Sequence, residues 1–399
     1  MNTTEWLKQL VACDTTSRNS NLQLIHLVQD WYRLHHLSPE LIYDENKAKA
    51  NLFVTLPAHD GNRSHGGLVL SGHTDVVPVD GQEWDTNPFE LSERHGCLYG
   101  RGTADMKGFL AVLLKLLPDF CQLKLAKPIH FVFSYDEEIG CLGIPSLLEN
   151  LKKWKIEPEG CVIGEPTSMR PVTANKGRLL FRCRIHGAAA HSSLTPQGCN
   201  AIEYAAQFIR FLRHLATQYK NQGPFDNDFD VPFTSVTTNM INGGGAYNII
   251  PEWCEFVFEF RYLPHLNPQE LIDTIQQYIQ ETLLPELHKE YPEATVALTQ
   301  IPGGGPGLNT SENEVITQLI RQVTQVKEKH KVAYATEAGF YHRAKIPTIL
   351  CGPGSIEQAH RANEFVTIEQ LNECERVVSK LVRHYTLAKM NESSLSRPR

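Results

Sequence analysis

The chain has 399 residues, of which 41% are hydrophobic and 21% are charged, and its formal net charge is −7. This composition excludes an intrinsically disordered chain, and the length allows one large domain with a smaller domain inserted into it. No stretch is dense in Lys and Arg, which argues against a nucleic-acid-binding protein.

The cysteines and the N-terminus predict a cytoplasmic protein. The ten cysteines are scattered and form no C-x-x-C pattern, which is typical of a reducing compartment. The N-terminal stretch MNTTEWLKQL lacks the basic and apolar regions of a signal peptide. No apolar run approaches the roughly 18 residues that a membrane span needs, so we expect no membrane partner.

The first part of the chain alternates short apolar runs with amphipathic helices. The predicted helices cover residues 4–12, 20–37, 106–117 and 144–154, and the predicted strands cover residues 51–56, 68–70, 129–134 and 161–163. Short, entirely apolar strands between helices indicate an α/β sheet that is covered on both faces. After residue 307 the same pattern returns, with a strand at 349–351 and a helix at 367–387.

Between these two parts the strands alternate apolar and polar residues, as in a half-exposed antiparallel sheet. Predicted strands lie at 179–185, 234–240, 254–262 and 295–298, and a helix is predicted at 200–214. Asn267 is predicted to cap a second helix, with Pro268 at its first position. The order β-α-β-β-α-β matches the split βαβ arrangement. We therefore predict an inserted α+β domain at 178–299, between an α/β domain formed by residues 1–177 and 300–399.

The stretch SGHTDVVP places His73 and Asp75 where an apolar strand ends. Side chains two residues apart on a strand point to the same side, and a metal-ligating imidazole usually donates its second N–H to a carboxylate. These two residues are candidates for half of a metal site, while a His near an Asp is also common without a metal.

Four further motifs contain candidate ligands. GRGTADMKG has Asp105 just before a predicted helix, and three others follow predicted strands: SYDEEIG with Glu137 and Glu138, IGEPTS with Glu165, and CGPGSIEQAH with His360. Each has an ordinary alternative, such as a helix cap for Asp105 or a solvated acidic turn for DEE. Together they would bring two imidazoles and several carboxylates to strand ends, where ligands bind in α/β sheets. Zinc accepts these donors, and two ions a few Å apart share a carboxylate. The motifs predict a dinuclear metal site.

In this order, and over essentially the whole chain, the five motifs resemble the family of dinuclear zinc amidohydrolases and exopeptidases. The resemblance implies a mixed-sheet, zinc-exopeptidase-like catalytic domain (1–177 and 300–399) with an inserted lid and dimerisation domain (178–299). It also implies two divalent ions, zinc first and cobalt as the alternative. Asp105 would bridge them, His73 and Glu165 would complete one site, and Glu138 and His360 would complete the other.

The same resemblance assigns roles to residues that do not bind metal. Glu137 matches the general base, and Asp75 matches the residue that orients His73. His191, in AAAHSS, is similar to a lid histidine that, in related homodimers, reaches the neighbouring active site and stabilises the oxyanion. Asn248 and Arg261 match positions that bind the polar and carboxylate end of the substrate. On the sequence alone, Arg261 is equally an outward-facing residue of an alternating strand.

The implied activity is metal-dependent hydrolysis of the amide bond of an N-acyl amino acid. Four stretches are most similar to the members that convert N2-acetyl-L-ornithine to L-ornithine and acetate in arginine biosynthesis: TADMKG, IGEPTS, ATEAGF and GPGSIEQAH. The lid departs from the usual family pattern at Tyr247 and around Arg261, which bears on substrate preference. The alternatives are a deacylase for acetylcitrulline or succinyl-diaminopimelate, a dipeptidase with the same site, and a non-catalytic binding homologue.

Overall fold

The computed structural model describes residues 1–387, so the end of the predicted 300–399 segment lies outside the described residues. The chain divides into two compact units. Unit 1 consists of Met1–Ala174, Leu308–Lys331 and the chain from Thr336 onward, and unit 2 consists of Asn175–Gly307 with Val332–Ala335.

The first part of unit 1 alternates helices with short strands, several of which are completely buried. The elements are α1 (Thr3–Val11), α2 (Leu22–Leu34), β1 (Glu40–Tyr43), β2 (Ala50–Leu56), β3 (Leu68–His73), β4 (Ser92–Arg94), β5 (Cys97–Tyr99), α3 (Gly108–Phe120), β6 (Ile129–Ser134), α4 (Ile144–Lys153), β7 (Gly160–Pro166) and β8 (Val172–Asn175). Every residue of β2, β3, β6 and β7 is buried, as expected for strands that are covered on both faces.

The elements of unit 2 are β9 (Gly177–His186), β10 (Ala190–His191), α5 (Ala201–Gln222), β11 (Ser235–Gly243), β12 (Ile249–Ile250), β13 (Trp253–Tyr262), α6 (Pro268–Tyr278), α7 (Leu284–Glu290) and β14 (Thr295–Gln300). The four-stranded sheet of unit 2 and its helices follow the predicted β-α-β-β-α-β order if α6 and α7 are counted together, and β10 and β12 form a separate two-stranded sheet. The sheet order is β11-β13-β9-β14, with antiparallel neighbours throughout. Asn267 caps α6 as predicted. Helix α5 ends at Gln222 rather than near residue 214, because its buried stripe continues through Leu215.

The last part of the described chain again alternates short strands with helices, as in the first part of unit 1. Its elements are β15 (Leu308–Asn309), α8 (Val315–Thr324), β16 (His330–Val332), α9 (Ala338–Arg343), β17 (Thr348–Gly352), β18 (Phe365–Thr367) and α10 (Ile368–His384). Thr367 caps α10, since its side chain accepts the amide N–H of Gln370.

The main sheet is mixed, with the order β1-β2-β6-β3-β7-β17-β8-β15 and with β16 beside β8. Strands β6, β3, β7 and β17 are parallel neighbours, whereas β1, β2 and β8 pair antiparallel. This arrangement confirms the predicted mixed α/β class. It also brings the carboxyl ends of four parallel strands to one edge of the sheet, where the motif residues follow. Within residues 1–387, no helix is long and apolar enough to cross a membrane.

Candidate dinuclear metal centre

His73 is the last residue of β3, and its side chain is 1% exposed. The Nδ1 atom lies 2.9 Å from the main-chain carbonyl oxygen of Asp75. Because a carbonyl can only accept, Nδ1 carries the proton and Nε2 is left as the metal-binding nitrogen. The carboxylate of Asp75 is farther away, with Oδ1 at 3.7 Å from Nδ1. The closer contact of Asp75 with the imidazole is therefore made by its main chain.

The Asp75 carboxylate instead holds the segment that follows β6. Its Oδ1 accepts the amide N–H of Glu137 at 3.0 Å, and its Oδ2 accepts the amide N–H of Glu138 at 3.2 Å. The Ser17 hydroxyl donates to the same Oδ2 at 2.7 Å. One buried carboxylate thus fixes the main chain of two neighbouring acidic residues.

Asp105 lies in an irregular turn between β5 and α3, and its carboxylate faces both imidazoles. Oδ1 is 2.9 Å from Nε2 of His73, and Oδ2 is 3.3 Å from Nε2 of His360. Helix α3 begins at Gly108 without a side-chain cap, so Asp105 is not its N-cap. The helix-cap alternative is therefore wrong, and this carboxylate has the geometry of a bridging ligand.

Two groups of ligand atoms share Asp105. The first comprises His73, Asp105 and Glu165, the second comprises Asp105, Glu138 and His360, and in each group the ligand atoms lie within 4.8 Å of one another. In the part of the chain that the structure describes, the buried Oε1 of Glu165 has no hydrogen-bond partner. A buried carboxylate oxygen is costly without a donor or a cation, and imidazole nitrogen with carboxylate oxygen suits zinc. The residues therefore fit two divalent ions.

The crowding of buried carboxyl groups in the centre shifts their pKa values. Burial, together with the charge of Asp105, raises the pKa of Glu138 to about 7, and burial raises the pKa of Glu165 well above its usual value. Burial also tends to raise the pKa of Asp105, but the neighbouring imidazoles of His360 and His73 hold this pKa well below its usual range.

Glu137 points into the same crowded region. Burial, with the charges of Glu138 and Asp105, raises the pKa of Glu137 well above its usual value. The Cys141 thiol lies 3.6 Å from Oε1 of Glu137 and is a weak donor to it. The Glu137 carboxylate belongs to neither group of candidate ligands.

The first acidic residue of the DEE motif has its own cation. The Lys49 ammonium, which lies just before β2, donates to Oδ1 of Asp136, and both side chains are mostly buried. The pairing of Lys49 with Asp136 was not predictable from the sequence, because the two residues are 87 positions apart and no local pattern joins them. Asp136 is therefore neutralised by a side chain, and only Glu137 and Glu138 face the centre.

In unit 2, the structure brings two of the three predicted lid residues together. His191 on β10 pairs with Ile249 of β12, and the amide N–H of Ser192 donates to the carbonyl of Asn248 at 3.0 Å. Both His191 and Asn248 are exposed.

Arg261 lies at the other end of the unit 2 sheet. Arg261 pairs with Arg178, which lies near the start of β9. The opposite end of β9, at His186, is the end that lies on the side of His191. Eight residue steps of about 3.3 Å separate these ends by about 26 Å. The Nε atom of Arg261 contacts Oε1 of Glu259 at 3.3 Å, and Arg178 contacts the same carboxylate.

Comparison with known proteins identifies the family. The model of peptidase family M20/M25/M40 matches residues 69–384. The chain belongs to this family. An acetylornithine deacetylase from Proteus mirabilis is 35% identical over 382 residues, which cover 94% of this chain and 93% of that protein. The predicted family and the prediction of a hydrolase are confirmed.

Two solved M20 structures share the fold. An M20 family metallo-carboxypeptidase from Sulfolobus solfataricus superposes with a TM-score of 0.75 at 17% identity, over 96% of this chain and 99% of that one. A dinuclear metal-binding M20 peptidase from Bacillus subtilis superposes with a TM-score of 0.64 at 15% identity, over 95% of this chain and 96% of that one. These likenesses support the fold.

In this M20 chain, Glu337 is a buried acidic residue to which the sequence analysis gave no role. It lies just before α9 and accepts the hydroxyl of Ser71 at 2.6 Å and that of Ser134 at 2.8 Å. Ser71 lies on β3 and Ser134 ends β6, so Glu337 ties together two strands that lead to the centre.

Gly164 makes β7 lie close against α3. A Cβ atom at this position would lie 1.9 Å from the ring of Phe109, which no rearrangement of a rigid ring accommodates cheaply. Gly164 directly precedes Glu165, and Phe109 lies four residues after Asp105. The missing side chain therefore sets the spacing of two proposed ligands.

Proposed function

We propose that the chain hydrolyses the amide bond of an N-acyl amino acid with two bound divalent ions. N2-acetyl-L-ornithine is the first candidate substrate, with L-ornithine and acetate as products. The observation that carries the proposal is the Asp105 carboxylate, which turns one oxygen toward each of two imidazoles. The name of the Proteus mirabilis relative supports this substrate, and a role in arginine biosynthesis follows from it.

The proposed metal ligands are His73, Asp105 and Glu165 for one ion and Asp105, Glu138 and His360 for the other. Zinc fits these donors, and cobalt is the alternative because such sites accept several divalent metals. The bound ions would supply Lewis acidity, which polarises the scissile carbonyl and lowers the pKa of the attacking water.

Glu137 is the proposed general base. Its carboxylate would take the proton of the attacking water and pass it to the nitrogen of the leaving amine. Asp75 is proposed to act through position, because it holds the main-chain amides of Glu137 and Glu138. A fixed main chain limits where the Glu137 carboxylate can reach, which preserves the geometry of proton transfer.

The lid residues are proposed to act from two copies of the chain. His191 would stabilise the oxyanion, and Asn248 and Arg261 would bind the polar and carboxylate end of the substrate. Arg261 lies about 26 Å along the sheet from the end that carries His191 and Asn248. In this proposal Arg261 would therefore come from one copy, and His191 with Asn248 from the other.

Surface exposure supports the proposed homodimer. Strand β11 is an edge of the unit 2 sheet, and it exposes Met240 and Ile241 by 67% and 56%. An open edge with apolar side chains suits pairing with a second copy. The cytoplasmic location stays a prediction.

The deciding experiment is a substrate panel on the metal-depleted chain, reconstituted separately with Zn²⁺ and Co²⁺. The panel comprises N2-acetyl-L-ornithine, N-acetylcitrulline, succinyl-diaminopimelate and a dipeptide. We expect activity only after metal is restored and the highest kcat/KM for acetylornithine. A higher value for the dipeptide would indicate a dipeptidase, and bound metal with no hydrolysis would indicate a binding homologue.

A further inference from the structure

Glu364 is a fully buried acidic residue that contacts no proposed ligand side chain, yet it binds the turn that carries Asp105. Its Oε1 accepts the amide N–H groups of Ala104 at 2.9 Å and Asp105 at 3.0 Å. Its Oε2 accepts the amide N–H of Gly102 at 3.0 Å. Three main-chain donors from one turn thus converge on one carboxylate, and the turn is fixed at the residue that faces both imidazoles.

The Arg101 guanidinium extends these contacts toward the other end of the centre. Its Nη1 donates to Oε2 of Glu364 at 2.7 Å and to the carbonyl of Arg361 at 3.2 Å, and its Nη2 donates to Oε1 of Gln82 at 2.6 Å. The Gln82 amide in turn donates to the main-chain carbonyl of His360 at 2.8 Å. A continuous series of hydrogen bonds therefore joins the Asp105 turn to the peptide of His360.

The main chain of His360 benefits from such a restraint. Its φ is +65°, a left-handed conformation that a non-glycine residue adopts at a cost of about 1 kcal/mol. The side chain of His360 is 50% exposed, so packing holds it less firmly than it holds His73. The hydrogen bond from Gln82 is thus a specific constraint on a ligand that is otherwise open to solvent.

Charge explains why an Arg–Glu pair occupies this position. The centre already contains Asp75, Asp105, Glu137, Glu138 and Glu165, and another unpaired buried carboxylate would raise their mutual repulsion. Arg101 and Glu364 are each 1% exposed and neutralise each other. A guanidinium can donate to Glu364 and Gln82 at once because its N–H groups form a planar fork.

We propose that Glu364 is a positioning residue of the metal centre, which fixes Asp105 directly and fixes His360 through Arg101 and Gln82. This inference rests on the proposed dinuclear site. It requires that Glu364 affect both ions, since Asp105 is shared. It also requires that Gln82 affect only the ion bound by Glu138 and His360.

The test measures metal binding rather than turnover. The metal-free chain is titrated with Zn²⁺ against a chromophoric chelator, and the absorption spectrum of the Co²⁺-loaded chain reports ligand geometry. The variants are Glu364→Gln, Arg101→Lys and Gln82→Ala, and Glu83→Ala is the matched control because Glu83 is the exposed neighbour of Gln82. His360→Ala identifies which binding step belongs to the second ion.

We expect Gln82→Ala and Arg101→Lys to raise the dissociation constant of that step about tenfold and to alter the Co²⁺ spectrum, since residues that orient ligands typically contribute this much. The dissociation constant of the other binding step should stay within about twofold of its wild-type value. Glu364→Gln should weaken both steps, and Glu83→Ala should weaken neither.

The outcomes separate the inference from the proposed function. If the wild-type chain binds two ions and the three variants keep its constants and its Co²⁺ spectrum, the inference is wrong. If Glu364→Gln does not fold, the dissociation constants and Co²⁺ spectra of Arg101→Lys and Gln82→Ala decide whether the inference is correct. A wild-type chain that binds fewer than two ions overturns the dinuclear site itself, and the inference with it.

Discussion

The carboxylate of Asp75 holds the main chain of Glu137, with 3.0 Å between Oδ1 and the amide nitrogen. Replacing it by Asn would turn one accepting oxygen into an N–H donor that faces another donor. We expect Asp75→Asn to lower kcat by about 10- to 100-fold while metal remains bound. His73→Ala should be more severe, because it removes a proposed metal ligand. Steady-state kinetics and elemental analysis of both variants check this order, and metal loss from Asp75→Asn as complete as from His73→Ala would contradict it.

Glu137→Gln tests the assignment of the base. The amide keeps the size of the side chain but cannot accept the proton of the attacking water. Because general acid–base catalysis contributes about 10²- to 10⁴-fold, kcat should fall within this range. The metal-to-protein ratio should not change, since Glu137 belongs to neither ligand group. Turnover close to that of the wild type would show that another group moves the proton.

The contribution of His191 can be assigned to one copy or the other by mixing two inactive variants. His191→Ala lacks the proposed oxyanion donor, and Glu137→Gln lacks the proposed base. If His191 acts on the neighbouring active site, a heterodimer of the two contains one intact site. The mixture should then recover about a quarter of wild-type activity after the subunits have exchanged. Mixtures that stay inactive despite demonstrated subunit exchange would place His191 in its own active site or outside catalysis.

Lys49 and Asp136 form an ion pair that is mostly buried. Lys49→Met would leave the Asp136 carboxylate without its cation, so we expect a loss of about 3 kcal/mol in the free energy of unfolding. Adding Asp136→Asn removes the unpaired charge and should recover part of this loss. Urea unfolding of the wild type, both single variants and the double variant measures the coupling. Additive effects would show that the pair does not interact energetically.

His130 predicts a pH dependence of stability. It is completely buried on β6, where Thr55 contacts its Nδ1, and burial lowers the pKa of His130 to about 3. The unfolded chain takes up a proton below about pH 6.5, whereas the folded chain resists it. The stability that depends on the neutral ring is therefore complete above pH 6.5 and falls by about 1.4 kcal/mol for each unit below it.

His130→Gln cannot titrate, so its stability should decline less steeply between about pH 6 and 5 than that of the wild type. Urea unfolding at both pH values measures the two slopes. His59→Gln, at an exposed position, serves as the control and should keep the wild-type slope. Equal slopes for the wild type and His130→Gln would show that this ring is protonated in the folded chain.

Much of the fold follows from local patterns. Five of the buried strands, β2, β3, β6, β7 and β17, were predictable because short apolar runs between helices leave few alternatives to a covered sheet. Strands β4, β5 and β18 have only three residues each, which is too short for a periodic signal. The turn that carries Asp105 follows one of these strands, β5, and contacts another, β18. Its shape was therefore not predictable from the sequence.

The candidate centre divides in the same way. The sequence motifs contain every residue of the two groups of candidate ligands, and all of them except Asp105 lie at or after the end of a strand of the main sheet. Their role as metal ligands stays a prediction. The supporting residues were not identified, because their partners are remote in sequence: Glu337 and Ser71 are 266 residues apart. The separation of Arg261 from His191 depends on the antiparallel register of β9 and β13, which residue spacing does not specify.

The contact of Gly164 with Phe109 has a genetic consequence. Every missense change at codon 164 adds a Cβ atom, and that atom would overlap the aromatic ring. Either β7, which carries the proposed ligand Glu165, or α3, which follows the proposed ligand Asp105, must then shift. Position 164 thus has no conservative substitution. A screen for inactive variants should recover changes at this position, although the residue itself has no side chain to contribute.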